Sequence, residues 1–191
     1  QGVFTPDYGA PEILRGESGI NTLTDSWSFA VMAYRVLTLV HPLKGDVVLE
    51  GEPEREEAAL RGEVPWVDHP TDRSNALSIG LPRELTLNAP LRALFERCFN
   101  AGLNSPGDRP SLSEWADAFE AATGHCDQCE SCGNTFFYTT KQTCPFCDHA
   151  QDKNRTILLQ EYRYMPPELL REGLTEDVPE SLIRKECWTR T

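Results

Sequence analysis

Hydrophobic residues run almost unbroken from Trp27 to Val40, and the chain is read outward from that run. Trp27, Phe29, Ala30, Val31, Met32, Ala33, Tyr34, Val36, Leu37, Leu39 and Val40 leave almost no polar face, the pattern of a buried, central helix. Asp25 suits the positive end of such a helix, so the pattern opens it at Asp25, with Thr22 or Thr24 as cap. His41-Pro42 stops it. The preceding residues, 1–22, are loop, broken by Pro6, Gly9, Pro11, Gly16 and Gly19.

Three further helices are legible. Pro53 starts a short one in which Glu57 and Arg61 pair at i,i+4 and Gly62 ends the run. Asn88 caps a second, with Leu91, Leu94, Phe95, Cys98 and Phe99 on one face and Gly102 closing it. Ser111 and Glu114 form a capping box for a third, which carries Leu112, Trp115, Ala116 and Phe119 up to Gly124. Between them, residues 64–80 read as loop with Trp66 as a buried anchor. Residues 125–150 change character to short, cysteine-punctuated segments. Residues 156–165 are β-prone, and a helical turn is expected at 168–172. The fold class is therefore mainly α with a small β module and a β-prone C-terminal segment, α+β taken together. Its parts are 1–124, 125–150 and 151–191.

Composition narrows the function. The formal net charge of −12 over 191 residues argues against a nucleic-acid surface. In the cysteine-rich part Lys141 and Lys153 are offset by Asp127, Glu130, Asp148 and Asp152. No apolar run reaches membrane-spanning length and no signal peptide is visible, so no membrane partner is expected. Seven cysteines, most in CxxC spacing, point to metal binding in a reducing, cytoplasmic setting rather than to disulfides. The first residue is Gln1 rather than Met, which leads us to expect a piece of a longer protein.

Cys126-x-x-Cys129-x-x-Cys132-Gly133 and Cys144-Pro145-x-Cys147 resemble a zinc ribbon. Two tight turns each supply two thiolates, which suits the tetrahedral preference of zinc. Cys129, Cys132, Cys144 and Cys147 are the expected ligands because Gly133 lets the first turn close. Cys126 is the alternative in another register. Residues 134–143, with Phe136-Phe137-Tyr138, are long enough for a small hairpin. Four sulfurs leave no open coordination position, so the expected zinc is structural. His125 and His149 are not needed, and Cys98 belongs to a helix core.

Three blocks in residues 1–124 resemble the C-terminal lobe of a eukaryotic-type serine/threonine protein kinase. Thr5-Pro6-x-Tyr8-x-Ala10-Pro11-Glu12 looks like the substrate-docking loop and the Ala-Pro-Glu motif that closes the activation segment. Asp25-x-Trp27-Ser28-Phe29 looks like the start of the central helix, and Arg109-Pro110-Ser111 like the segment before the lobe's end. The resemblance implies a buried ion pair between Glu12 and Arg109, an Asp25 that steadies the catalytic loop, and a Thr5 beside the catalytic residues. No Gly-rich loop, nucleotide-anchoring lysine, His-Arg-Asp or Asp-Phe-Gly occurs in the 191 residues. ATP and magnesium would thus belong to a full-length parent, and this portion is expected to be inactive alone. Kinase lobe plus ribbon resembles kinases of bacterial tellurite-resistance-type stress operons. That implies a protein partner: the N-terminal half of the kinase, or another protein such as a von Willebrand A-type domain. A non-catalytic, pseudokinase scaffold is the alternative implied by the same blocks.

Overall fold

The computed structural model describes residues 5–137 and 141–151, together with the backbone of two short strands, Tyr162–Tyr164 and Trp188–Arg190. Helices dominate: α1 (Pro11–Leu14), α2 (Thr22–Thr38), α3 (Asp46–Leu49), α4 (Pro53–Leu60), α5 (Arg83–Thr86), α6 (Ala89–Phe99), α7 (Ala101–Asn104) and α8 (Leu112–Thr123). Strands β1 (Cys126–Gln128) and β2 (Thr135–Phe137) pair antiparallel, Asp127 opposite Phe136. Strands β3 (Tyr162–Tyr164) and β4 (Trp188–Arg190) form a second antiparallel pair, Arg163 opposite Thr189. The chain divides into two compact units, residues 1–149 and 150–191, so the cysteine-rich part belongs to the same unit as the helices. Of the β-prone stretch 156–165 only residues 162–164 are described, and the helical turn expected at 168–172 lies outside the described residues.

Helix α2 is central, but it starts earlier than the apolar pattern indicates. Asn21, not a threonine, is its cap. The Asn21 side chain accepts from Leu23 N and Thr24 N at 2.9 and 3.2 Å, and Asn21 N donates to Thr24 Oγ1 at 2.9 Å. The helix ends at Thr38 because Leu39 turns left-handed (φ 62°), three residues before Pro42. Nor is α2 buried all round. Trp27, Ala30, Val31, Ala33 and Tyr34 are buried, whereas Met32 and Val36 are exposed to 48 and 70 %.

The core is built on that buried stripe by aromatic contacts. Trp27 meets Phe99 edge-on at 5.2 Å, and Tyr34 meets Phe95 at 5.2 Å and Trp66 at 5.9 Å. Phe95 in turn lies 4.7 Å from Trp115, which brings α6 and α8 onto α2. Offset and edge contacts of this kind add roughly 0.5–1.5 kcal/mol each to the burial of the rings. Asn88 caps α6 and the Ser111–Glu114 box caps α8, as their sequence chemistry requires. Gly102 does not close α6. The helix breaks at Asn100, and Gly102 sits inside α7, where an added Cβ would come within 2.6 Å of Arg109 Cγ. The short α4 has the expected Arg61–Glu57 pair at 3.2 Å, followed by Gly62 at φ +76°.

Asn75 plugs the long loop from inside the fold. Fully buried, it donates to Leu43 O and Pro65 O at 2.9 and 2.8 Å and accepts from Gly45 N at 3.0 Å. Gly45 is required there, since a Cβ would fall 2.0 Å from Asn75 O.

Candidate functional site

Two constellations stand out, one charged and one of sulfur. The first begins with Glu12 on α1 and Arg109 in the turn before α8, 97 residues apart. The guanidinium grips the carboxylate through two parallel bonds of 2.8 Å, with Arg109 fully buried and the Glu12 side chain 7 % exposed. Arg109 also donates to Gly102 O at 2.8 Å and Leu23 O at 2.9 Å and lies 4.9 Å over the Trp27 ring. One side chain thereby ties α1, α2 and α7 together. Burial works to raise the Glu12 pKa, but the Arg109 fork prevails and holds the carboxyl below its ordinary value.

The loop ahead of α1 is fastened at its other side. Residues Pro6–Tyr8 form a 3₁₀ turn. Ser28 Oγ donates to Tyr8 O at 2.8 Å, and Arg35 donates to the Tyr8 hydroxyl at 2.7 Å while stacking over its ring. Asp7 accepts from Lys44 at 2.9 Å, and Lys44 continues to Glu56 at 2.8 Å. The buried His41 ring sits between Asp7 O, 2.8 Å from Nε2, and Leu43 N, 3.1 Å from Nδ1. That geometry requires Nε2–H to donate and a bare Nδ1 to accept, so the ring is neutral, and burial pushes its pKa down to about 4. The sequence pattern showed His41 only as part of a helix stop. Its tie to Asp7, like those of Lys44 and Arg35, depends on residues far apart in the chain.

Ala10 and Pro11 are buried beneath this loop. Thr5 and Asp25 are exposed and line one cleft of about 630 Å³ together with Tyr8, Ile20, Phe29 and Met32. Trp27 lies wholly inside the core.

The sulfur cluster comes from two turns of the same design. Cys129 N donates to Asn134 O at 3.0 Å and Gly133 N returns to Cys129 O at 2.9 Å, with Gly133 at φ 73°. In the second turn Cys144 N donates to His149 O at 2.8 Å and Asp148 N returns to Cys144 O at 3.0 Å, with Asp148 at φ 56°. Asp can occupy the left-handed region that Gly takes in the first turn. The Sγ atoms of Cys129, Cys132, Cys144 and Cys147 all lie within 4.8 Å of one another. Cys129–Cys147 is 3.7 Å and Cys132–Cys144 is 3.8 Å. These are too long for disulfides, and they match the edges of about 3.8 Å that four bonds of about 2.3 Å to one tetrahedral ion would set. The donor set therefore fits a metal ion such as zinc.

Cys126 stands apart from the four. It lies in β1 opposite Phe137, and its thiol points to Ala122 O at 3.4 Å. The aromatic strand β2 pairs with β1 upstream and places the buried Phe136 beside Phe146 at the cluster; the hairpin expected in 134–143 includes residues 138–140, which lie outside the described residues. Cys98 is fully buried in the helical core, where burial pushes its thiol up to about 12. No helix among the described residues is long and apolar enough to cross a membrane. No family model matches the chain, and no curated protein matches it significantly.

Proposed function

We propose that residues 1–124 are the docking and support portion of a serine/threonine protein kinase lobe, followed by a ribbon that holds one structural zinc ion. In this reading the chain binds protein and does not itself transfer phosphate. The observation that carries the proposal is the buried two-bond clamp between Glu12 and Arg109, which locks the Ala10-Pro11-Glu12 loop to the far end of the helical unit. Thr5 and Asp25 at the rim of one cleft agree with it, since a docking loop and a loop-steadying carboxylate would have to face the same space. ATP and magnesium would act only with nucleotide-holding and catalytic-loop residues that the 191 residues do not contain. When bound, zinc would join the two cysteine turns into one folded unit.

Titration of the 191-residue chain with ATP and magnesium, followed by calorimetry, should show no saturable binding at micromolar concentrations. Binding at that level would overturn the reading. The coding sequence ahead of Gln1 should contain intact His-Arg-Asp and Asp-Phe-Gly motifs. Degenerate versions would favour the second reading, a pseudokinase scaffold for a partner such as a von Willebrand A-type domain. The exposed apolar side chains Ile20, Met32 and Val36 are the observation behind that second reading. Metal analysis of freshly purified protein should give one zinc per chain.

A further inference from the structure

A second cavity, of about 330 Å³, lies between α6 and the segment that leads into it. It is lined by Trp66, Asp68, Arg73, Arg83, Arg92 and Glu96, with Leu87 and Phe95 beside them. Three guanidiniums in one small cavity are unusual in a chain with a formal charge of −12. They are not equally engaged. Arg83 is spoken for: its Nε donates to Asp68 and to the Tyr34 hydroxyl at 2.9 Å each, and Nη1 donates to Leu81 O at 2.6 Å. The Tyr34 hydroxyl also donates to Asp68, so that carboxylate is consumed inside the fold. Arg92 uses only Nε, on Leu87 O at 3.1 Å. Arg73 makes no side-chain hydrogen bond or ion pair among the described residues. Trp66, 5 % exposed, adds a buried Nε1–H that has no acceptor among the described residues.

The cavity thus holds a surplus of donors. The Trp66 donor is buried without an acceptor among the described residues, whereas Arg73 and Arg92 are exposed, with guanidinium donors left open to a ligand arriving from solvent. Glu96 supplies one opposing charge and forms no ion pair with either of them. What would satisfy such a set is an acceptor-only group with several oxygens and more than one negative charge. A carboxylate offers two oxygens in one plane, and a single guanidinium fork occupies the edge it faces. A phosphate monoester offers three terminal oxygens and a charge of about −1.5 to −2 near neutral pH.

We propose that this cavity between α6 and the 66–87 segment is a binding site for a phosphate monoester, held by Arg73 and Arg92 with the Trp66 indole N–H. The site is independent of the kinase reading and shares no residue with the clamp or the sulfur cluster. The monoester could be carried on a phosphorylated side chain or on a small molecule, and the two are separated by the probes. Calorimetry on the full 191-residue chain with a phosphoserine peptide, its unphosphorylated twin, and phenyl phosphate should show saturable binding of the phosphorylated probes only. A tighter fit for the peptide assigns the site to phosphorylated protein, and equal affinity assigns it to small esters.

Arg73→Ala and Arg92→Ala should each weaken binding about tenfold or more, the loss expected when one charge-assisted hydrogen-bond donor is removed. Neither arginine belongs to the core, and an unchanged thermal melt shows that the fold is kept. Glu96→Gln should strengthen binding, an outcome a merely structural role for these residues does not produce. Absence of saturable binding by either phosphorylated probe overturns the proposal. So does binding that is indifferent to both arginine variants, or equal binding of the unphosphorylated peptide.

Discussion

The Arg109 side chain has no surface-exposed part, and five acceptors or faces share its charge: the two Glu12 oxygens, two backbone carbonyls and the Trp27 ring. Arg109→Met removes the cation and leaves the buried Glu12 carboxylate without its charge partner. Chemical denaturation should show a loss of about 3–5 kcal/mol, the usual cost of breaking one side of a buried pair. His41 sets a different limit. Its pKa of about 4 in the folded chain lies below the ordinary 6.5, so between those values the unfolded chain binds a proton that the folded chain refuses. Stability should therefore fall as pH drops from 6.5 towards 4, by a total on the order of 3 kcal/mol. Denaturation curves across that window measure the slope, and His41→Gln should flatten it.

At the scale of elements, local chemistry set the boundaries that were legible. Asn88 and Ser111 announce α6 and α8 because a cap acts within three residues of itself, and sequence spacing reports that distance faithfully. The cysteine turns are legible for the same reason. Asn21 was hidden because Thr22 and Thr24 are capping types too, and Thr24 serves as the back-bonding half of the box rather than its head. The end of α2 has only a coarse local sign in Pro42, because Leu39 is a poor residue for the φ of 62° at which the helix turns off. The Asn75 plug and the arginine cavity join segments distant in the chain, so no window of sequence displays them.

Two substitutions test these element ends. Asn21→Ala should cost about 1 kcal/mol through the lost cap. Leu39→Gly should instead stabilise the chain by about 0.5–1 kcal/mol, because Leu39 is 69 % exposed and little packing is lost when the strain is relieved. Thermal melts of the two variants should shift in opposite directions.

For the molecule as a whole, the cysteine turns and the helical core rest on different forces. The helices bury a continuous aromatic core, whereas among the described residues only Phe136 and the half-buried Phe146 accompany the cysteines of the sulfur cluster. Strong chelation should therefore abolish hydrogen-exchange protection at residues 126–149 while the helical unit still melts cooperatively. A structural zinc site contributes about 10–16 kcal/mol of apparent binding free energy, far more than two rings could replace. Loss of the whole fold on chelation would show that the helices depend on the ribbon.

The clamp also has a temporal meaning. Its two charges attract strongly only where water is already excluded, so closing it early would cost their hydration before any reward. The aromatic contacts among α2, α6 and α8 have to assemble first, and the ion pair forms on a frame already built. Stopped-flow kinetics of Arg109→Met should accordingly show folding at nearly the wild-type rate and markedly faster unfolding. The Ala10-Pro11-Glu12 loop would then be the last part of the helical unit to settle and the first to let go.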